Sequence, residues 1–250
     1  MVNKKRNNIA QCGHSAPGRD QGPVAGLDGC RAGWLALTLG AEGMSPQIVI
    51  AESWSALDLE THVMLAVDMP IGLADSGPRA CDIAARRHLP RGRKSSVFPP
   101  PRRAMLACAS WAEANALGQA REGKGLSRQA WNLTARIREL DAALAPADQA
   151  RVREVHPELV FQRLNGAPPL PSKKTGAGRA ARLALLEQAG VPGLPALLES
   201  LPRSKARPDD LLDAAACALA ARDILAGRAT CLPTPARPRD ARGLRMEIWF

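Results

Sequence analysis

The stretch Val24-Ala25-Gly26-Leu27-Asp28-Gly29-Cys30-Arg31-Ala32-Gly33-Trp34 places one carboxylate between two apolar runs. Residues 24–28 and 32–39 read as paired strands joined by a glycine-bearing turn. Asp28 then stands mid-sheet, where an ionised side chain is costly unless a metal, a cation or hydrogen bonds compensate it. Asp followed by Gly is also a common turn signal. The strand pattern on both sides of Asp28 favours a functional acid over a turn residue.

Three more acidic islands interrupt apolar segments. Asp68 closes Leu65-Ala66-Val67-Asp68 and precedes Met69-Pro70-Ile71-Gly72. It stands at the carboxyl end of a run that reads as a buried central strand, the end where α/β sheets place ligand sites. Capping the following turn is its alternative role. Glu154 lies in Val152-Arg153-Glu154-Val155-His156-Pro157. Its neighbour Glu158 suits a helix first turn, and His156 is either a metal ligand or a hydrogen-bonded structural residue.

The fourth island is Asp209-Asp210-Leu211-Leu212-Asp213. Helical spacing puts its three acids on one face, opposite Leu211, Leu212, Ala215 and Leu219. Asp210 as an N-cap with Asp213 three residues on is close to a capping box. A cap needs one acid, however, and this helix start carries three. Acids set into apolar segments suit a divalent metal site, because hard cations prefer oxygen ligands.

Basic residues offer contacts for an anionic substrate. Arg79, Arg86 and Arg87 lie on or beside one helical segment, and Arg91, Arg93 and Lys94 lie in the next loop. Lys173, Lys174, Arg179 and Arg182 flank Gly176-Ala177-Gly178, in an order that is not a P-loop. Arg86, Lys173 and Lys174 are the candidates for phosphate, through charge-assisted hydrogen bonds. A solvated surface is the alternative for each taken singly.

Outward from these islands, residues 47–52 read as a third strand and 53–60 as a short helix opened by Ser53. Residues 63–68 read as the central strand. Between 79 and 145 there is no strand pattern: helices are expected over 79–88, 102–118 and 127–144, with a basic, proline-rich loop over 90–101. Strand character returns at 151–155, and Pro157 suits a helix N-terminus. Further helices are expected over 177–188, 194–201 and 209–225, the last closed by Gly227. Residues 246–250 alternate like a short strand. The order predicts a mixed α/β sheet with helices on its faces.

At 250 residues and 46% hydrophobic the chain has ample material for a core. No apolar run approaches the roughly 18 residues of a membrane span. Residues 1–21, with Lys4-Lys5-Arg6 and no apolar segment behind them, read as a disordered tail and not a secretory signal. The six cysteines (Cys12, Cys30, Cys81, Cys108, Cys217, Cys231) form no Cys-x-x-Cys pair, which excludes zinc-finger spacing and suggests reduced thiols in the cytoplasm. A net charge of +10 favours an anionic partner, nucleic acid being the commonest. The charge is mostly arginine (27 Arg against 7 Lys) in an Ala- and Pro-rich chain without tyrosine, a bias that high-GC coding also produces.

Several stretches together resemble the DUF429 family, predicted nucleases of ribonuclease H-like fold. They are Gly26-Leu27-Asp28-Gly29-Cys30-Arg31 with Gly33-Trp34, Ala66-Val67-Asp68-Met69-Pro70-Ile71-Gly72-Leu73 and Arg79-Ala80-Cys81-Asp82-Ile83-Ala84-Ala85-Arg86. The likeness continues through Ser96-Val97-Phe98-Pro99, Glu154-Val155-His156-Pro157-Glu158, Ser172-Lys173-Lys174 and Asp209-Asp210-Leu211-Leu212-Asp213-Ala214. The resemblance implies one ribonuclease H-like domain over 22–250, with 79–145 as a helical insertion. It also implies acids on the first strand (Asp28), after the fourth (Asp68) and at the start of the last helix (Asp210 or Asp213). Glu154 would supply a fourth acid, as in the resolvase-like branch. The implied activity is phosphodiester hydrolysis with two Mg²⁺ or Mn²⁺ ions held by Asp28, Asp68, Glu154, Asp210 and Asp213. A non-catalytic nucleic-acid-binding protein of the same fold is the first alternative. A phosphotransferase or nucleotide hydrolase is the second, disfavoured by the lack of glycine-rich phosphate loops.

Overall fold

A computed structural model of the chain describes residues 22–40, 44–166 and 168–250; the expected tail over 1–21, with Cys12, lies outside them. β1 (Val24–Cys30), β2 (Gly33–Leu39) and β3 (Gln47–Ala51) run antiparallel in succession. β4 (Met64–Val67) and β5 (Val152–Glu154) then add on the other side of β1, parallel to it. The result is a five-stranded mixed sheet in the order β3-β2-β1-β4-β5. The expected strands all form.

The helices of the second half are α4 (Pro157–Asn165), α5 (Gly176–Gln188), α6 (Leu194–Ser200) and α7 (Pro208–Leu225). Between β4 and β5 lie α1 (Ala80–His88), α2 (Trp111–Glu122) and α3 (Arg128–Ala143), with no strand among them. The expected helix over 53–60 is reduced to a single 3-10 turn, Trp54–Ala56. A 3-10 turn at Arg103–Ala107 also replaces the start of the helix expected over 102–118, so α2 begins only at Trp111, where the Ser110 hydroxyl caps Glu113 N–H. The segment Ile248–Trp249 pairs antiparallel with Cys231–Leu232, a strand too short to show a pattern, and Trp249 bridges to Val155 beside β5.

Side-chain alternation sorts the sheet into two faces. Ala25, Leu27, Leu65 and Val67 join Ile137 and Leu140 of α3 in one core; Val24, Leu35, Leu37, Met64 and Ala66 join α7 and α4 in the other. α7 does not divide into a polar and an apolar face. Every residue from Leu211 to Ala221 is buried, Asp213 included, because the sheet covers one side and α4 and α5 the other. A helix buried all round carries apolar residues all round.

β1 and α7 approach each other backbone to backbone. A Cβ placed on Gly26 would lie 2.0 Å from the Ala214 carbonyl oxygen and 2.1 Å from the Ala218 nitrogen. Both are helix backbone atoms that cannot swing away, so only glycine fits. Gly26→Ala is therefore expected to cost about 1–3 kcal/mol or more in chemical denaturation, as overpacking does. Gly92→Ala, where a Cβ meets nothing within 4 Å, is expected to stay within about 0.5 kcal/mol of wild type.

Candidate metal centre

Register and helix contact together assemble the acids. Leu27 pairs with Val67 across β1 and β4, and the Asp68 N–H donates to the Leu27 carbonyl at 2.9 Å. Asp28 and Asp68, one residue further on each strand, are therefore neighbours on the α7 face, two residues beyond Gly26 and Ala66. α7, pressed onto Gly26, brings Asp213 to the same place one turn before Cys217. One carboxylate oxygen from each of Asp28, Asp68 and Asp213 lies within 4.8 Å of the others. Asp213 is 4% exposed, and Asp28 and Asp68 are half-buried.

Lys173, from the loop between α4 and α5, faces this group. Its Nζ donates to Asp213 Oδ2 at 2.5 Å. Burial pushes the Asp28 carboxyl well above the ordinary aspartate range, and the charges of Asp68 and Asp213 push it further; Lys173 works against both. Burial likewise raises Asp213, to about 6, although Lys173 lowers it. The ammonium of Lys173 is held charged, because the attraction of Asp213, Asp68 and Asp28 outweighs its loss of water.

The other expected site residues are engaged elsewhere. Glu154 receives Arg79 Nη2 at 2.6 Å and Nη1 at 2.8 Å, and its Oε2 also accepts the Ile71 N–H at 2.7 Å. Arg79 in turn holds Asp82 through Nε at 3.0 Å and Nη2 at 2.6 Å. Asp82 sits in the first turn of α1, where the helix dipole favours an acid. Arg79 was legible as a cation beside a helix but not as a buried one; the signal was its i,i+3 spacing to Asp82. Asp210 Oδ2 accepts the Arg207 N–H at 2.8 Å, so it stands at the third residue of α7 and not at its cap. Its charge still reaches Asp28.

Asp28, Asp68, Glu154 and Arg79 line one cleft of about 520 Å³, with Phe98 and His156 on its wall. His156 Nδ1 is 3.7 Å from Asp68 Oδ1, and its Nε2 is 3.2 Å from Ser96 Oγ. Arg86 Nε donates to the Val97 carbonyl at 2.7 Å, so it braces the cleft wall. Lys174 is exposed beyond Lys173.

Three carboxylates with converging oxygens fit a hard divalent cation, whose preferred ligands are oxygens. The nearby Cys217 is buried and its thiol is pushed far up by burial and the three acids. Among the described residues Cys30, Cys81, Cys108, Cys217 and Cys231 are free thiols.

Two outcomes follow from the two charge clusters. Arg79→Met is expected to destabilise the protein by about 3–5 kcal/mol in denaturant titration, since it strands two buried carboxylates. For Asp28, a folded-state pKa above the unfolded value means that the folded protein holds its proton more tightly. The stability that Asp28 and Asp213 contribute in EDTA is then fully present below about pH 4 and is lost as pH rises through about 6, the value for Asp213. Asp28→Asn removes a repelling charge. It is expected to raise stability by on the order of 1 kcal/mol at pH 7.5, a gain that shrinks toward pH 4; a gain independent of pH would show that the acids do not repel.

A family model described as "Protein of unknown function (DUF429)" matches residues 26–237, a span that contains Asp28, Asp68, Lys173 and Asp213. No curated protein and no solved structure matches the chain. With the match covering most of its length, the chain belongs to the DUF429 family.

Proposed function

We propose that this chain is a divalent-metal-dependent nuclease of ribonuclease H-like fold that hydrolyses phosphodiester bonds at Asp28, Asp68 and Asp213. The observation that carries the reading is the convergence of three carboxylates from β1, the end of β4 and the first turns of α7, within 4.8 Å. The sheet order β3-β2-β1-β4-β5, with β2 antiparallel to β1 and β4 and β5 parallel to it, supports that fold. So does an acidic helix packed across the central strand.

Asp28, Asp68 and Asp213 would hold Mg²⁺ or Mn²⁺. When bound, the ion supplies Lewis-acid stabilisation of charge at phosphorus and a more acidic water. The chain's own residues do the rest. The carboxylates fix the position of the bound cation through the rigid β1–β4–α7 contact. Arg86 braces the wall of the cleft. Arg87, Arg91, Lys94 and Lys174 are exposed and attract a phosphate backbone through charge, without reading sequence. The net charge of +10 adds to that attraction.

The test is cleavage of single-stranded, duplex and branched nucleic acids with Mg²⁺ or Mn²⁺, comparing wild type with Asp28→Asn. Asp28→Asn is expected to keep its fold by circular dichroism and to lose at least about a hundredfold in rate, the several kcal/mol a ligand's charge contributes. Equal activity in both proteins ends the reading. Salt-sensitive binding without metal and without cleavage would favour the non-catalytic nucleic-acid-binding protein instead.

A further inference from the structure

We propose that this site takes one divalent cation and not two, with the Lys173 ammonium permanently occupying the place of the second positive charge. The inference rests on the metal-site reading above and narrows it. Three carboxylates against one ammonium leave two negative charges, the complement of a single divalent ion. Glu154 and Asp210, the residues that would complete the shell of a second ion, hold Arg79 and the Arg207 N–H.

The loop carrying Lys173 is built to hold that ammonium in place. A Cβ on Gly178 would lie 1.9 Å from the Ser172 carbonyl oxygen, so α5 and the loop meet backbone to backbone. The same carbonyl accepts from Thr175 N at 3.0 Å and Thr175 Oγ1 at 2.8 Å. One residue earlier, the Pro171 carbonyl accepts from Arg182 Nη1 at 2.9 Å, and Arg182 is itself buried and paired with Glu158 at 2.9 Å. Thr175 Oγ1 caps α5 by accepting Gly178 N–H at 3.1 Å. The Lys-Lys-x-Gly-x-Gly stretch thus serves to fix Lys173 against Asp213. The bonds lie on Pro171, Ser172 and Thr175, which flank Lys173, so the ammonium reaches Asp213 from a backbone fixed on both sides.

The discriminating measurement is Mn²⁺ binding to the full chain, by isothermal titration calorimetry and by loss of the free-ion electron paramagnetic resonance signal. Wild type is expected to bind one Mn²⁺. Lys173→Met frees an Asp213 oxygen and removes a repelling charge, and is expected to bind Mn²⁺ at least about tenfold more tightly or to admit a second ion. Lys173→Gln repeats the test should the methionine variant fold poorly, and Lys173→Arg, which keeps the charge, is expected to stay at one ion. Two ions in wild type, or neutral variants that bind no more tightly than wild type, would overturn the inference and leave the metal site standing. No saturable Mn²⁺ binding to wild type or to the neutral variants would overturn the metal reading itself, and this inference with it.

Discussion

The contact of Gly26 with the backbone of α7 is the constraint on which the molecule turns. Strand and helix touch there without an intervening side chain. That proximity requires small residues along the helix, and α7 supplies Ala214, Ala215, Ala216, Ala218, Ala220 and Ala221, all fully buried. Alanine also has the highest helix propensity, so the residue that the packing demands is the one that best holds the helix without help from amphipathic pattern. Because β1 alternates, the next residue on the same face as Gly26 is Asp28. Close packing at one position therefore dictates carboxylate proximity at the next. The acids do not find one another through attraction; apolar burial forces them together against their charge.

That repulsion has to be offset within the fold. The sheet's carboxyl edge carries two clusters, and each has one cation of its own. Arg79 balances Asp82 and Glu154, with the N-terminus of α1 and the Ile71 N–H adding partial positive charge. Lys173 balances one of Asp28, Asp68 and Asp213, and among the described residues no lysine or arginine is paired with the other two, His156 lying 3.7 Å from Asp68. Burial raises the Asp28 and Asp213 carboxyls, and the charges of neighbouring acids add to it; burial also raises Glu154, to about 7, in the cluster that Arg79 holds. Marginally stable folds tolerate such an excess where a ligand completes it.

Much of this is legible in the sequence alone. Alternation around Asp28, the apolar run ending at Asp68 and the turn glycines reveal the sheet, because period-two patterning is local. Gly227, at φ +67°, closes α7 where glycine was expected. The failures share a cause, since each depends on what lies across the fold. The 53–60 segment has helical residues, but its backbone turns extended at Leu57, and Leu57 and Leu59 are buried in the α3-side core outside any helix. α7 has helical spacing of its acids, yet burial on all sides separates their roles. Asp213 enters the site, Asp210 holds the Arg207 N–H, and Asp209 remains outside both. Glu154 shows the same limit: its spacing marks it as functional, but the partner that neutralises it is Arg79, 75 residues away in sequence.

The two clusters differ in the cation that each one holds. A guanidinium is a planar fork with five donors, and Arg79 directs them to two carboxylates and to the carbonyls of Ile71 and Gly72. Its carboxylates are held by several donors each, and exchange for another ligand would leave a buried charge unpaired. An ammonium is a point charge on a flexible stem. Lys173 touches one oxygen of Asp213 and is itself 44% exposed, while Asp28 and Asp68 line the cleft with no lysine or arginine paired to them among the described residues. Arginine closes its acids into structure, whereas lysine lowers the repulsion enough for folding and leaves two charges unmatched. The choice of cation, more than the number of acids, separates the part of this edge that holds the fold from the part where the proposed ion would sit.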